Sequence, residues 1–251
     1  MTSGLPLAGG ANPRRYVSVT PIARDPDSST ITGEMLHPVG VVLAGGQSRR
    51  MGRDKTALSL SILGDETLLS WAAHRMAAVC DTWVVADNGR ALMPGAISVV
   101  DGPGAGPAAG ILGVAQRFPE RALFVLACDL PLIPARTLMW IAALAGDWVL
   151  PFSDHGAEPL CALYRPQALD ALRRQVAIGS YSLRALHETA SDLSVRRISP
   201  AELMAASGSV DVDPELLFLN VNHPRDVESI DALASRSDVL SRFLRLDSTK
   251  R

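Results

Sequence analysis

Two short stretches hold the residues best suited to chemistry. The first is Leu43-Ala44-Gly45-Gly46-Gln47-Ser48-Arg49-Arg50-Met51-Gly52-Arg53-Asp54-Lys55. Its adjacent glycines let backbone N–H groups approach and cradle an anion. Arg49, Arg50, Arg53 and Lys55 place four cations within seven positions. A triphosphate needs that density, because Arg and Lys stabilise phosphoryl oxygens. The spacing matches neither the G-x-x-x-x-G-K-[ST] loop nor the G-x-G-x-x-G fingerprint. A solvated basic turn is the plain alternative for such a cluster. The paired glycines, directly after an apolar run, favour the phosphate reading. The second stretch is Leu126-Ala127-Cys128-Asp129-Leu130-Pro131. A carboxylate at the tip of a buried strand is costly unless a cation or hydrogen-bond donors meet it. Mg²⁺ takes one or two carboxylates together with phosphates. Asp129 is therefore the candidate Mg²⁺ ligand, and a turn or helix-capping Asp before Pro131 is the alternative.

The elements around these stretches must bring them together. Val39 to Ala44 is a continuous apolar run of strand length, as expected for a strand buried on both faces. Leu123 to Ala127 is a second such strand. Apolar residues at helical spacing predict a helix over Glu66–Cys80, and others over Pro107–Gln116, Ala135–Ala145 and Pro166–Gln175. Further strands are expected at Trp83–Ala86, Ile97–Val100, Trp148–Leu150 and Leu160–Tyr164. The last unit reads as strand Leu216–Asn220, loop Val221–Pro224 and helix Arg225–Leu233. Strands alternating with helices imply an α/β fold: a single Rossmann-like, doubly wound, mostly parallel sheet with helices on both faces. Loops that follow its strands share one edge, where such sheets bind ligands.

The 251 residues allow one domain, or two small ones. Residues 1–37 are rich in Ser, Thr, Pro and Gly and read as a flexible extension. Residues 38–235 form the expected catalytic domain, and 236–251 a charged terminal segment. Leu7-Ala8-Gly9-Gly10 copies the first stretch, but no strand precedes it. With 47% hydrophobic and 20% charged residues, the composition is that of a globular chain. A net charge of -2 and 5% aromatics exclude a broad nucleic-acid surface. No apolar run approaches the ~18–20 residues that span a bilayer. Arg14-Arg15 lacks the apolar segment of an export signal. Three cysteines, Cys80, Cys128 and Cys161, without metal spacing fit a reducing cytoplasm. Cys128 is expected to pack as a small apolar residue.

The first stretch resembles the L-A-G-G-x-S-x-R-M-G-x-D-K signature of molybdenum cofactor guanylyltransferases of the MobA type. The second resembles the family's L-x-x-C-D-x-P. Asp101-Gly102-Pro103-Gly104-Ala105-Gly106-Pro107-Ala108-Ala109-Gly110 is similar to D-x-x-x-x-x-G-P-x-A-G, with Ala108 where Leu is common. Phe218-Leu219-Asn220-Val221-Asn222-His223-Pro224-Arg225-Asp226 resembles F-x-N-x-N-T-P-x-D/E, with His223 in place of Thr. The resemblance runs from about Val39 to Leu233. It implies nucleotide binding by Leu43, Ala44, Gly45, Gly46, Lys55, Asn88, Asp101, Gly106 and Asp129. Lys55, Asp129 and Arg49 are the implied catalytic residues, with Asp129 holding Mg²⁺. Asp101 is either a ribose, base or neighbouring contact or a plain turn residue. Asn88 follows a strand and is a candidate contact to the guanosine portion, although many members have Asn where this chain has Ala86. Asn220 and Asn222 are implied to bind the acceptor, and capping of the following helix is their other reading. The strand after Glu158 lines the acceptor pocket in the family, and Arg184 is a candidate anion contact.

The implied reaction transfers GMP from GTP to the molybdopterin-bound molybdenum cofactor, releasing pyrophosphate without a covalent intermediate. GTP, the cofactor and molybdoenzyme maturation proteins are the implied partners. A CTP-using relative, a sugar- or alcohol-phosphate acceptor, or a non-catalytic nucleotide- or cofactor-binding carrier are the alternatives. Gly45-Gly46 favours guanine, because cytidylyl relatives resemble L-A-A-G here.

Overall fold

The computed structural model describes residues 37–45, 55–64, 66–208 and 213–236. The first stretch of interest is thus described only at Leu43–Gly45 and Lys55. The described strands are β1 (Val39–Leu43), β2 (Thr82–Ala86), β3 (Ile97–Val99), β4 (Leu123–Ala127), β5 (Trp148–Ser153), β6 (Gly156–Ala157), β7 (Cys161–Tyr164) and β8 (Val195–Ile198). They form one sheet in the order β3-β2-β1-β4-β7-β5-β6, with β8 also paired to β5. The pairs β2–β3, β1–β2, β1–β4 and β5–β8 are parallel. β7 runs antiparallel between β4 and β5, and β6 folds back on β5 as a short hairpin. The sheet is therefore mixed and mostly parallel, as expected.

The described helices are α1 (Leu68–Val79), α2 (Gly106–Arg117), α3 (Ala135–Ala143), α4 (Pro166–Ala177), α5 (Leu183–Thr189), α6 (Pro200–Ser207) and α7 (Pro224–Arg236). Side chains alternate across a strand, and the core divides accordingly. Val39, Val41 and Leu43 of β1 pack with α2, α4 and α5 on one face. Val42 packs with α1, α3 and α6 on the other. Every residue of β1 and β4 is buried, which explains why both read as unbroken apolar runs. The N-termini of α1 and α6 carry reciprocal capping boxes, Thr67 with Ser70 and Ser199 with Glu202.

One expected strand is absent. Leu216–Asn220 is not extended; Pro214–Phe218 forms a 3₁₀ turn instead. Asp213 caps it by accepting from the Glu215 N–H at 3.0 Å, and Pro214 supplies a helical φ at its start. The turn still buries Leu217 and Phe218, so the apolar run reports burial and not strand geometry.

The route from β3 into α2 depends on two glycines. A Cβ at Gly113 would lie 2.1 Å from the Val100 carbonyl oxygen, and one at Gly102 would lie 2.6 Å from the Gly113 nitrogen. The chain leaving β3 thus runs directly against the backbone of α2. The Gly102 N–H donates to the Ala109 carbonyl at 2.8 Å. This contact fixes where Asp101 sits at the end of β3.

Candidate active site

β1, β2, β3 and β4 are mutually parallel, so their carboxyl ends share one edge of the sheet. The strand-end loops meet there through specific bonds. The Cys128 N–H donates to the Leu43 carbonyl at 3.1 Å, tying the end of β4 to the end of β1. The Ala44 N–H donates to the Ala86 carbonyl at 3.0 Å, tying β1 to β2. Cys128 is buried in the core and forms no disulfide, in keeping with a packing role.

Lys55 and Asp129 come together across this edge. Lys55 Nζ lies 2.6 Å from Asp129 Oδ2, and both side chains are largely buried, at 17% and 11% exposure. Lys55 opens a 3₁₀ turn, Lys55–Ala57, anchored by buried Thr56 and Leu58. Asp129 is held from behind, where its carbonyl accepts from the Val221 N–H at 2.9 Å. That bond brings the Asn220–Asn222 segment to the same edge. Asp129 Oδ1 is buried and has no hydrogen-bond partner among the described residues. A buried carboxylate oxygen left bare is costly, and a divalent cation would satisfy it. Among the described residues no group of three or more His, Cys, Asp or Glu could hold a metal. The bare Asp129 oxygen fits a cation held by one carboxylate together with phosphates, as Mg²⁺ usually is.

The other predicted residues fall into place unequally. Asn88 and Asp101 meet: Asn88 Oδ1 accepts from the Asp101 N–H at 3.3 Å. Asn88 lies in a left-handed turn, φ 56°. Asp101 is exposed as a residue, but partial burial of its carboxyl raises its pKa above the ordinary 3.8; Arg90 opposes the rise and Asp87 adds to it. Gly106 is exposed, has φ 61° and opens α2. Asn220 donates through Nδ2 to the Phe218 carbonyl at 3.2 Å. The backbone N–H groups of Asn222 and His223 both donate to Asp226 Oδ2, at 2.8 and 2.7 Å. In that bond set the carboxylate of Asp226, not an asparagine side chain, does the capping. Gly46 and Arg49, with Arg50 and Arg53, lie outside the described residues.

The acceptor-side candidates form a second cluster at the end of β5. Glu158 Oε1 accepts from Ser153 Oγ at 2.6 Å and lies 3.9 Å from Arg184 Nη2. Burial raises the Glu158 pKa, partly offset by the Ser153 hydrogen bond and by Arg184. Arg184 also faces the His155 carbonyl at 3.4 Å. Glu215, from the turn that replaces the expected strand, accepts from the Asp154 N–H at 2.8 Å.

Sequence reasoning passed over Arg90. Its Nη2 donates to the Ala44 carbonyl at 2.6 Å and its Nε to the Asp87 carbonyl at 2.9 Å. The signal available was Asp87-Asn88-Gly89-Arg90, a turn sequence that ends in a long cation.

Comparison with known proteins gives a consistent result. Residues 40–194 match the family model described as "MobA-like NTP transferase domain". The chain is 37% identical over 202 residues to the Mycobacterium avium protein named "Probable molybdenum cofactor guanylyltransferase", covering 76% of this chain and 93% of that one. It is 28% identical over 204 residues to the "Molybdenum cofactor guanylyltransferase" of Desulfosudis oleivorans, covering 77% and 94%. Among solved structures, molybdopterin-guanine dinucleotide biosynthesis protein A from Archaeoglobus fulgidus superposes with a TM-score of 0.63 at 26% identity. That alignment covers 79% of this chain and all of the other.

Proposed function

Because the chain belongs to the MobA-like NTP transferase family, we propose that it transfers GMP from GTP to the molybdopterin-bound molybdenum cofactor. The products are molybdopterin guanine dinucleotide and pyrophosphate. The Lys55–Asp129 pair at the strand edge carries this reading, above all the bare Asp129 Oδ1. In the free protein the two charges neutralise one another. A triphosphate arriving with its cation gives each a better partner: Lys55 turns to phosphate oxygens, and Asp129 takes the cation.

The reaction needs no nucleophile from the protein. An oxygen of the acceptor's ionised phosphate forms the new bond to the α-phosphorus of GTP. The bond from that phosphorus to the bridging oxygen breaks, and its electron pair leaves with pyrophosphate. An ionised phosphate carries no proton to remove, so no general base is required. The protein's part is to align attacking and leaving oxygens and to neutralise charge. Lys55 does so with its ammonium group. Mg²⁺ held by Asp129 would add charge neutralisation on the phosphates. Asn220 and Asn222, brought to the edge by the Val221–Asp129 bond, are the acceptor-binding candidates.

The test is pyrophosphate release from GTP and Mg²⁺, with and without molybdenum-loaded molybdopterin. Release that depends on the loaded acceptor is the expected result. Release with CTP at an equal rate would overturn the guanine assignment. Release with a sugar phosphate but not with the cofactor would overturn the acceptor.

A further inference from the structure

The turn after β2 is built far more firmly than a surface loop requires. Asp87 is fully buried. Its carboxylate accepts from Ser98 Oγ and from the Leu92 N–H, the latter at 2.8 Å. Asn88 and Gly89 both take left-handed φ, 56° and 74°. The Arg90 N–H then closes the turn on the Asp87 carbonyl at 3.3 Å. A buried carboxylate, two left-handed residues and a β3 hydroxyl are thus used to fix one four-residue turn. Its outcome is the position of the Arg90 guanidinium, which bridges the Asp87 and Ala44 carbonyls.

Ala44 is the last residue of the chain before Gly45. Its N–H, part of the preceding peptide, donates to the Ala86 carbonyl, and Arg90 donates to its carbonyl. Arg90 therefore holds the peptide joining Ala44 to Gly45 at its carbonyl. Arg90 also bears electrostatically on Asp101, at the end of β3. It therefore links three strand ends: β1 at Ala44, β2 at Asp87 and β3 at Asp101.

We propose that Arg90 is a positioning residue for nucleotide binding, locking the Ala44–Gly45 peptide through the Ala44 carbonyl. The inference rests on the nucleotidyl-transfer reading above. Arg90 acts through the Ala44–Gly45 backbone and takes no part in the phosphoryl step. Planarity matters, because only a guanidinium reaches two carbonyls in one fixed fork. A lysine keeps the charge, but its three donors sit on one nitrogen and lack the fixed fork.

The experiment compares wild type, Arg90→Lys and Arg90→Ala. Direct titration with GTP and Mg²⁺ gives Kd, steady-state pyrophosphate release gives KM and kcat, and melting without nucleotide gives Tm. Arg90→Ala is expected to raise Kd and KM for GTP about tenfold or more, the scale of one charge-assisted hydrogen bond. kcat at saturation stays within about threefold and Tm changes little, because Asp87, Ser98 and Leu92 still hold the turn. Arg90→Lys is expected to fall between the two. A lowered Tm with unchanged Kd overturns the proposal and makes Arg90 a structural residue. Equal Kd in all three proteins overturns it as well. A fall in kcat with constant KM overturns it in favour of a catalytic contact. Wild type that binds no nucleotide at all overturns both this inference and the function on which it rests. Wild type that binds GTP but transfers to no molybdopterin acceptor defeats only the function, and the Kd comparison still decides the inference.

Discussion

Lys55 and Asp129 are 74 positions apart in the chain and 2.6 Å apart in space. Each is useful because the other is present. Burial makes an unpaired charge costly, so the free protein keeps them together, and in the proposed reaction substrate separates the pair. Lys55→Ala and Asp129→Asn are expected to lower pyrophosphate release by about 10²–10³-fold, the scale of losing one group that stabilises transition-state charge. Far-ultraviolet circular dichroism should show the fold retained in both. Turnover within a few-fold of wild type in either variant would remove its catalytic role. Gly45 makes a different kind of argument. Its φ is not left-handed, and among the described residues a Cβ there would meet only the Ala86 carbonyl oxygen, at an ordinary 3.7 Å. Among the described residues nothing requires glycine at this position, and close approach of the proposed nucleotide to its backbone is the reason put to the test. Gly45→Ala is expected to keep the wild-type Tm while losing GTP affinity by about tenfold. A large fall in Tm would show that the glycine serves the fold.

At the level of elements, the site is positioned by junctions. The β3–α2 junction sets Asp101 and Gly106, and its backbones leave no room for a Cβ at Gly102 or Gly113. Gly113→Ala drives a methyl group to 2.1 Å from the Val100 carbonyl. It is expected to cost about 1–3 kcal/mol by overpacking, read as a lower midpoint in urea, and to weaken GTP binding with it. The start of α6 offers a pH test. Glu202 accepts from the Ser199 N–H, then from Arg196 and the Ser199 hydroxyl, and these hold its pKa down to about 2 from 4.5. A carboxylate with a depressed folded value binds fewer protons folded than unfolded in that window. Its contribution is therefore complete above about pH 4.5 and is lost as the pH falls toward about 2. Glu202→Gln should flatten that part of the stability profile. An unchanged acid slope would show that the capping box does not titrate with folding. These same elements explain the uneven legibility of the fold. β1, β4 and α1 declare themselves because burial on both faces or on one stripe writes itself into the residue pattern. β8, Val195-Arg196-Arg197-Ile198, is short and half polar, and only its pairing with β5 makes it a strand. α6 had a readable start in Ser199-Pro200-Ala201-Glu202, the capping signature that sequence reading passed over. Leu216–Asn220 had the apolar content of a strand, but Asp213-Pro214 turns it helically before it can extend.

For the whole molecule, ligand binding is the property to measure. The described sheet carries its parallel strand ends on one edge, and the proposed nucleotide and acceptor groups meet there around Asp129. A ligand that binds only the folded state raises stability by about 2.7 kcal/mol at a hundredfold excess over Kd. For a chain of this size that is about 5–10 °C in Tm. GTP with Mg²⁺ is expected to give a shift of this size, CTP a smaller one, and excess chelator to abolish most of it. Equal shifts with GTP and CTP would undercut guanine preference; no shift with any nucleotide would favour a carrier of another ligand. Among the described residues no helix is long and apolar enough to cross a membrane, and the three cysteines are buried without disulfides. What the amino-acid sequence determined by itself was local: which runs are buried, where glycines interrupt them, and which loops hold cations and carboxylates. Those properties follow from residue type and spacing along one segment. Only the tertiary structure decided that Asp129 pairs with Lys55 and keeps one oxygen bare. It alone placed Val221 behind Asp129 and led Arg90 across from β2 to the carbonyl before Gly45. Each of those contacts joins segments distant in the chain, and their distance and direction are set by strand register and helix packing, which no single segment contains.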